Sequence, residues 1–377
     1  MKKILHIQLF SLLSGVQRVS LDELERLDPD KYEKWIVCKE EGPLTDEARI
    51  CGTNVHLIPW LEREICWLND VKALLALILF MRKNKFDIVH THSSKTGVLG
   101  RLAAKMAGVK NIVHTVHGFS FPSAKSSFSK SVFYILEWIG ARCATKLVCL
   151  NQEDYELCRE KLSCPESKLA VIENGVDCTK FSPLCAAEKA KLKSRLGFSN
   201  SETVFVMVGR LWEQKDPVTL IKAFRKVVEG EASCPNIRLV YIGDGPLQET
   251  LREYAVDHGI DHLVSFWGWR ANVNDILPAM DVFILPSLWE GMPLAIIEAM
   301  ASGLPCIVSD IRGNNALVCN GKNGFLFNKG DELELSKLIL LGTEKDIRAK
   351  MGRVGRELAI AEYSIDARLR KIESLYG

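Results

Sequence analysis

Several features are missing from this chain, and each absence closes off a class of protein. None of the 12 cysteines forms a C-x-x-C pair, and they scatter from Cys38 to Cys319. That distribution points to reduced thiols in a cytosolic enzyme, not to a disulfide framework. No apolar run is longer than Ala73 to Met81, far short of the roughly 20 residues that cross a bilayer. The N-terminus, Met-Lys-Lys-Ile-Leu-His-Ile, has neither a long h-region nor a small-residue cleavage site. A soluble or peripheral chain is therefore expected. Excess charge is missing too: Lys+Arg 49 against Asp+Glu 47 leaves a net +2, so no global field marks a nucleic-acid binder. Internal repeats and low-complexity stretches are absent. One lack is regional: from Ile88 to Leu136 there is no acidic residue.

What is present describes an ordinary globular protein. Apolar residues make up 47% and charged residues 25% of the 377, and a prior of roughly 150 residues per domain suggests two or three domains. Short Val/Ile/Leu-rich runs alternate with helix-period segments such as Val71–Lys83 and Thr96–Ala107. The first series of candidate strands is Ile4–Phe10, Lys34–Cys38, Val55–Pro59, Ile88–Thr91, Ile112–Val116, Lys146–Leu150 and Leu169–Ile172. A polar connection from Glu173 to Asn200 interrupts it. A second series follows: Thr203–Val208, Arg238–Ile242, Leu263–Trp267, Asp281–Pro286 and Pro305–Ser309. Such alternation predicts two doubly wound α/β domains with parallel sheets, and ligands held in a cleft between them. At the end, Ile365, Leu369, Ile372 and Leu375 share one helical face, which must pack on something.

Two constellations carry chemistry. In Asp281–Pro305 a buried strand runs into a polar loop, and a helix begins near Pro293. The amides of Gly291, Met292, Leu294 and Ala295 then surround a helix start, which is a ready anion site. Glu290 precedes that helix and Glu298 lies within it; carboxylates accept the hydroxyls of sugar diols. A Glu pair at this spacing is, by itself, a solvated helix face, and only the surrounding pattern argues otherwise. The second constellation follows the strand Thr203–Val208, where Gly209, Arg210 and Lys215 leave its carboxyl end. Two cations there suit a diphosphate, Arg as a bidentate fork and Lys as a point charge; alone, they would read as surface cations.

Together these segments resemble the retaining glycosyltransferases of glycosyltransferase family 4, which have the GT-B fold of two facing Rossmann-like domains. Glu290 and Glu298 match the family's E-x7-E within P-S-x-x-E-G-x-P-x-x-x-x-E-A-M-A-x-G-x-P, and Gly209, Arg210 and Lys215 match its G-R-x4-K. Further agreement lies in Glu173-Asn174-Gly175-Val176-Asp177 with Phe181, and in Gly243-Asp244-Gly245-Pro246. The resemblance implies an acceptor-side domain over 1–172, a donor domain over 173–360, and a terminal helix, 361–377, packing back on the first domain. It implies that Arg210 and Lys215 neutralise a nucleotide diphosphate, that Glu290 contacts the donor sugar, and that Glu298 holds the ribose. Main chain at Trp269 and Arg270 would meet the nucleobase, and His117 would stand beside the sugar. His114, nearby in the same strand, reads as a structural histidine. The family commonly has two glycines after its first strand; here Ser14 takes the first place and Gly15 the second, which leaves the loop shape open.

The implied activity is metal-independent hexosyl transfer with no cofactor, from a nucleotide-diphosphate sugar of UDP type. Thr91-His92-Ser93-Ser94-Lys95 and His114–Phe121 lean toward bacterial surface-polysaccharide enzymes (O-antigen, capsule) acting on a polyprenyl-diphosphate-linked saccharide. In the acid-free window, Lys95, Arg101, Lys105, Lys125 and Lys130 would form a positive face for that acceptor, or for an anionic membrane met peripherally from the cytoplasm. The plain alternative is ordinary surface lysines. Rival functions are a nucleotide-sugar 2-epimerase and a non-catalytic nucleotide-sugar binding protein. Asp28-Pro29-Asp30 formally matches a metal-binding D-x-D but sits in a polar turn. No His/Cys/carboxylate group has metal spacing along the chain, and the first βα turn lacks G-x-G-x-x-G, which disfavours a nicotinamide enzyme.

Overall fold

The computed structural model describes residues 1–62, 64, 66–119, 126–230 and 236–377. The chain divides into two units, one of Met1–Asn174 with Ile365–Gly377, the other Gly175–Ser364.

The first unit is built on a seven-stranded parallel sheet: β1 (Lys2–Ile7), β2 (Tyr32–Cys38), β3 (Asn54–Leu57), β4 (Ile88–His92), β5 (Asn111–Val116), β6 (Lys146–Cys149) and β7 (Leu169–Val171). Their order is β3-β2-β1-β4-β5-β6-β7. Side chains alternate between two apolar layers. Ile4, Ile88 and Val113 pack with Leu21 and Leu24 on one face, while Leu5, Val89 and Ile112 pack with Leu77 and Ala103 on the other. Burial on both faces is why these strands read as continuous apolar runs. The terminal helix Ile365–Tyr376 joins the first layer through Ile372 and Tyr376. Arg368 anchors it, donating to Glu23 Oε1 at 2.8 Å and to the carbonyls of Ile172 and Glu173 at 3.1 and 2.7 Å.

The second unit has six parallel strands: β8 (Thr203–Val208), β9 (Ile237–Ile242), β10 (Val264–Phe266), β11 (Val282–Leu285), β12 (Cys306–Ser309) and β13 (Gly324–Phe327). The order is β10-β9-β8-β11-β12-β13. β13 is a four-residue edge strand between Asn323 and Asn328 that opens on Gly324, so its sequence carries no long apolar run. The stretch expected to be only a polar connection contains the helix Ala186–Arg195. Its Lys189 and Lys193 reach Asp281 at 2.9 and 2.7 Å. Burial opposes the charge on that carboxyl, yet the two ammonium groups hold it below its usual range. The helix thus docks through ion pairs and not through an apolar stripe, which hid it from the periodicity.

Both sheets reverse their winding, between β1 and β4 in one and between β8 and β11 in the other. Ligands of such sheets bind at the carboxyl ends of the strands flanking that reversal. Among the described residues no helix is long and apolar enough to cross a membrane.

Candidate active site

In the second unit the strands flanking the reversal end in the two sequence constellations. After β8, Gly209 takes φ +153 and its place for a Cβ lies 3.5 Å from Lys215 Cε, so the loop folds back on its own strand end. A short helical turn, Glu213–Lys215, leads to Asp216, which caps the next helix through Thr219 at 2.6 Å. After β11, Ser287 donates to Glu290 Oε1 at 2.7 Å, and Lys215 Nζ reaches the same oxygen at 2.5 Å. Gln214 ties the loops together, donating to the Trp289 carbonyl and accepting from the Leu288 amide, both at 2.8 Å.

Lys215 and Glu290 therefore meet as a partly buried ion pair. Arg210 is exposed beside them, its guanidinium 4.8 Å over the Trp212 ring. The helix Leu294–Ala301 begins with Pro293 at its N-cap and has no side-chain cap. Glu298 is half-buried within it. Ser309 Oγ, at the end of β12, donates to the Ser287 carbonyl at 2.5 Å, and Asn314 donates to the Ser309 carbonyl at 3.1 Å. Gly313 is obligatory there: at φ +85 an added Cβ would stand 2.3 Å from the Gly291 carbonyl oxygen. Gln214, Ser309 and Gly313 support the site without carrying a sequence signal of their own, whereas Ser287 is the serine of the P-S-x-x-E motif.

Trp269 and Arg270 lie past β10 and are exposed, Trp269 by 53%. Gly243, at φ +134, brings the end of β9 against the Gly209 carbonyl, where a Cβ would sit 2.1 Å away. Glycines here let neighbouring strand ends approach at backbone distance.

In the first unit, the loop after β1 contains Ser14 at φ −110, ψ 178, immediately before the helix Gly15–Arg26. That is extended backbone open to any residue, so serine fits in place of the family's glycine. His117 follows β5, half-buried, with Nε2 3.2 Å from His92 Nδ1. Beneath it lies a group that linear spacing missed. His6 and His90 are register partners across β1 and β4, their rings 4.8 Å apart, and His90 and His92 stack at 4.4 Å. Alternation along β4 puts His90 and His92 on one face, and that was the available signal. Burial pushes His6 down to about 3, with Arg368 adding to the effect. His90, His92 and His114 are likewise driven well below 6.5, chiefly by burial. Glu23 is raised by burial, against the opposing pull of Arg368. Potential ligand atoms of His6, Glu23, His90 and His92 lie within 4.8 Å of one another. His114 donates to or accepts from Thr91 Oγ1 at 2.9 Å, a satisfied core histidine.

The positive face is corrected at two residues. Arg101 is 1% exposed and pairs with Glu137 at 2.9 Å, so it belongs to the core. Lys95 is paired with Asp70 at 2.6 Å. Both acids lie outside the acid-free window and return to it in space. Lys105 and Lys130 are exposed, and Lys125 lies outside the described residues. Asp28 and Asp30 form an exposed turn, with the Asp30 amide on Asp28 Oδ1 at 3.0 Å.

Comparison with known proteins accounts for both halves. Residues 13–180 match the family model Glycosyltransferase Family 4, and residues 202–341 match Glycosyl transferases group 1. The chain is 45% identical over 376 residues to the UDP-Gal:alpha-D-GlcNAc-diphosphoundecaprenol alpha-1,3-galactosyltransferase of Escherichia coli, covering 99% of this chain and 96% of that one. It is 28% identical over 338 residues to the capsular polysaccharide biosynthesis glycosyltransferase CapM of Staphylococcus aureus, with 85% and 84% covered. Among solved structures, Anabaena HepE in complex with UDP-glucose superposes with TM-score 0.85 at 20% identity over 99% of both chains. WaaG, a glycosyltransferase involved in lipopolysaccharide biosynthesis, gives 0.79 at 12% identity over 99% of this chain and 100% of that one. The two superpositions show the fold, and the sequence identity shows the kinship. The chain belongs to glycosyltransferase family 4, a hexosyltransferase of two Rossmann-like units with the family's acidic and basic motifs at the strand ends of the second.

Proposed function

We propose that this enzyme transfers a hexose, galactose first among the candidates, from a UDP-sugar to a polyprenyl-diphosphate-linked saccharide in surface-polysaccharide assembly, with retention of configuration. The carrying observation is the 45% identity, over nearly the whole of both chains, to an enzyme named for UDP-Gal and GlcNAc-diphosphoundecaprenol. The arrangement of the second unit is consistent with it. Arg210 is exposed and Lys215 stands at the same strand end, beside an uncapped helix start. Both cations and that helix terminus stabilise the departing diphosphate. Glu290 holds its sugar-binding place because Ser287 and Lys215 fix one of its oxygens; a carboxylate so engaged orients hydroxyls and does not attack carbon. Glu298 takes the ribose, main chain at Trp269 and Arg270 the base, and Gly291 to Ala295 the phosphate side. In the first unit, His117 and Gly15 are the residues assigned to the donor.

Phosphate neutralised in this way needs no divalent ion, so transfer survives a strong chelator. The first unit also meets a membrane surface from the cytoplasmic side. The helix Trp67–Asn84 leaves Trp67 and Leu68 exposed by 81% and 76%, with Leu75 and Leu79, and Lys105 and Lys130 add exposed charge. Aromatic and basic groups together suit an anionic interface.

The test is an incubation of UDP-Gal, UDP-Glc, UDP-GlcNAc and GDP-mannose, each with and without a GlcNAc-diphospho-lipid. Transfer from UDP-Gal only when acceptor is present, giving an α-linked product by NMR, is the expected result. Donor turnover without acceptor would instead make the protein an epimerase. Loss of activity under chelation, restored by Mn²⁺, would overturn the metal-independent mechanism. Flotation with anionic vesicles checks the membrane part separately.

A further inference from the structure

From His117 an unbroken line of hydrogen-bonding groups runs down through the first unit to its terminal helix. His117 Nε2 is 3.2 Å from His92 Nδ1, and His92 Nε2 is 3.3 Å from His6 Nδ1. His6 Nε2 is 3.4 Å from the Tyr376 hydroxyl, which is 2.7 Å from His90 Nδ1. His90 Nε2 ends the line, 2.8 Å from Thr115 Oγ1. His6, His90, His92 and Thr115 are all fully buried.

A neutral imidazole has one N–H and one lone pair. Each histidine–histidine link therefore needs a proton on one side and a lone pair on the other. Where the Tyr376 hydroxyl accepts from one ring and donates to the other, setting one proton sets them all. In one polarity His117 Nε2 accepts from His92 and the His117 proton sits on Nδ1. In the other, Nε2 donates and Nδ1 is bare.

Two contacts select between them. Glu23 Oε2 is buried without a hydrogen-bond partner, 3.6 Å from His90 Nδ1. Arg368 holds the carboxylate's other oxygen at 2.7 and 2.8 Å. A carboxylate attracts an N–H at that nitrogen and repels a lone pair. His6 Nδ1 also meets Ser20 Oγ at 2.7 Å. One N–H can be shared between Ser20 and His92 as a three-centre bond, whereas one lone pair would have to serve both as donors. Both contacts favour protons on His90 Nδ1 and His6 Nδ1, and hence on His117 Nδ1.

We infer that the Glu23–Arg368 pair sets the tautomer of His117 through His90, Tyr376, His6 and His92, so that His117 offers its Nδ1–H as a donor to an oxygen of the bound sugar. The relay residues are positioning residues. The second half of the statement rests on the proposed placement of His117 beside the donor sugar; the tautomer itself does not. A metal on His6, Glu23, His90 and His92 is the competing use of the same atoms. It would consume the lone pairs the relay requires and would sit against the Arg368 cation.

The experiment is long-range ¹⁵N–¹H correlation on protein labelled at histidine, which reads the protonated nitrogen of each ring. His117 is expected to carry its proton on Nδ1 in the unaltered enzyme. Tyr376→Phe and His92→Phe each remove one link and keep a ring in place. In His92→Phe, which cuts His117 off from the line, His117 should move toward the Nε2–H form. In Tyr376→Phe, where Ser20 still biases His6, the shift should be smaller. The kcat should fall about tenfold in His92→Phe, one hydrogen bond's worth, and less in Tyr376→Phe, with donor KM nearly constant. His92→Asn, which keeps an N–H at short reach from the backbone, should recover much of the rate. Nε2–H at His117 in the unaltered protein, or an unchanged tautomer in both Phe variants, would overturn the relay. So would stoichiometric metal in the purified protein by plasma mass spectrometry. A normal rate in His117→Ala would instead remove His117 from the sugar and leave the tautomer result standing.

Discussion

The two units share an architecture but place their polar groups in opposite ways. In the second, a buried pair of Asp281 and Lys193 lies away from the candidate site, whose charged residues sit at the strand ends: Arg210 exposed, Lys215 and Glu290 paired at the rim. In the first, they lie inside: His6, His90, His92 and Glu23 between sheet and helices, Arg101 and Glu137 beneath the surface. A rim charge is cheap to keep and free to meet a ligand. A buried one is costly unless it is paired, as Glu23 is by Arg368, so it orders its neighbours. The contrast separates chemistry from positioning, and it can be broken experimentally.

The largest effect is expected inside the first unit. Arg101→Ala should cost about 3–5 kcal/mol, because Glu137 is left buried without its cation. Chemical denaturation would measure it; a loss near zero accompanied by a raised acceptor KM would return Arg101 to a surface role. At the rim of the second unit the cost should fall on rate instead. Arg210→Ala or Lys215→Ala should lower turnover by about 10²–10³, the range for one preorganised charge stabiliser. A folded Lys215→Ala enzyme with a near-normal rate would take that residue out of the mechanism.

Acid should distinguish the units next. His6 is buried neutral, with its folded value about 3 against 6.5 unfolded. The unfolded chain then binds more protons between those values, so stability is full above about 6.5 and is lost as pH falls toward 3. At pH 5 His6 alone removes about 2 kcal/mol, and His90, His92 and His114 shift in the same direction. The second unit's Asp281 pair begins to weaken only below its ordinary 3.8. Peptide-resolved hydrogen exchange, corrected for intrinsic rates, should show the first unit opening at pH 5 and the second intact. Simultaneous opening would erase the contrast. Smallest of all, Lys105→Glu with Lys130→Glu should raise acceptor KM only several-fold, through a field screened within roughly 8 Å at physiological salt. Donor KM should stay constant, and the effect should grow at low salt.

Sequence alone determined the class of fold, because apolar runs that alternate with helical periods leave parallel sheets covered on both faces as the one arrangement that buries them. It also determined the donor-side motif, since Gly209 to Lys215 and Pro286 to Glu298 are each contiguous and each follow a buried strand. Tertiary structure decided the rest. Only folding joins Lys215 to Glu290 across 75 positions, or Arg368 to Glu23 across 345. Only folding moves Asp70 and Glu137 into a stretch of chain that has no acid of its own. The helix Ala186–Arg195 and the strand Gly324–Phe327 were missed for different reasons. The helix docks by ion pairs and leaves no apolar period to read, and the strand has only three apolar residues, too short a run to stand out. Periodicity records burial along a single element. Pairings between polar groups depend on which elements meet, and that is settled by the packing of the whole unit.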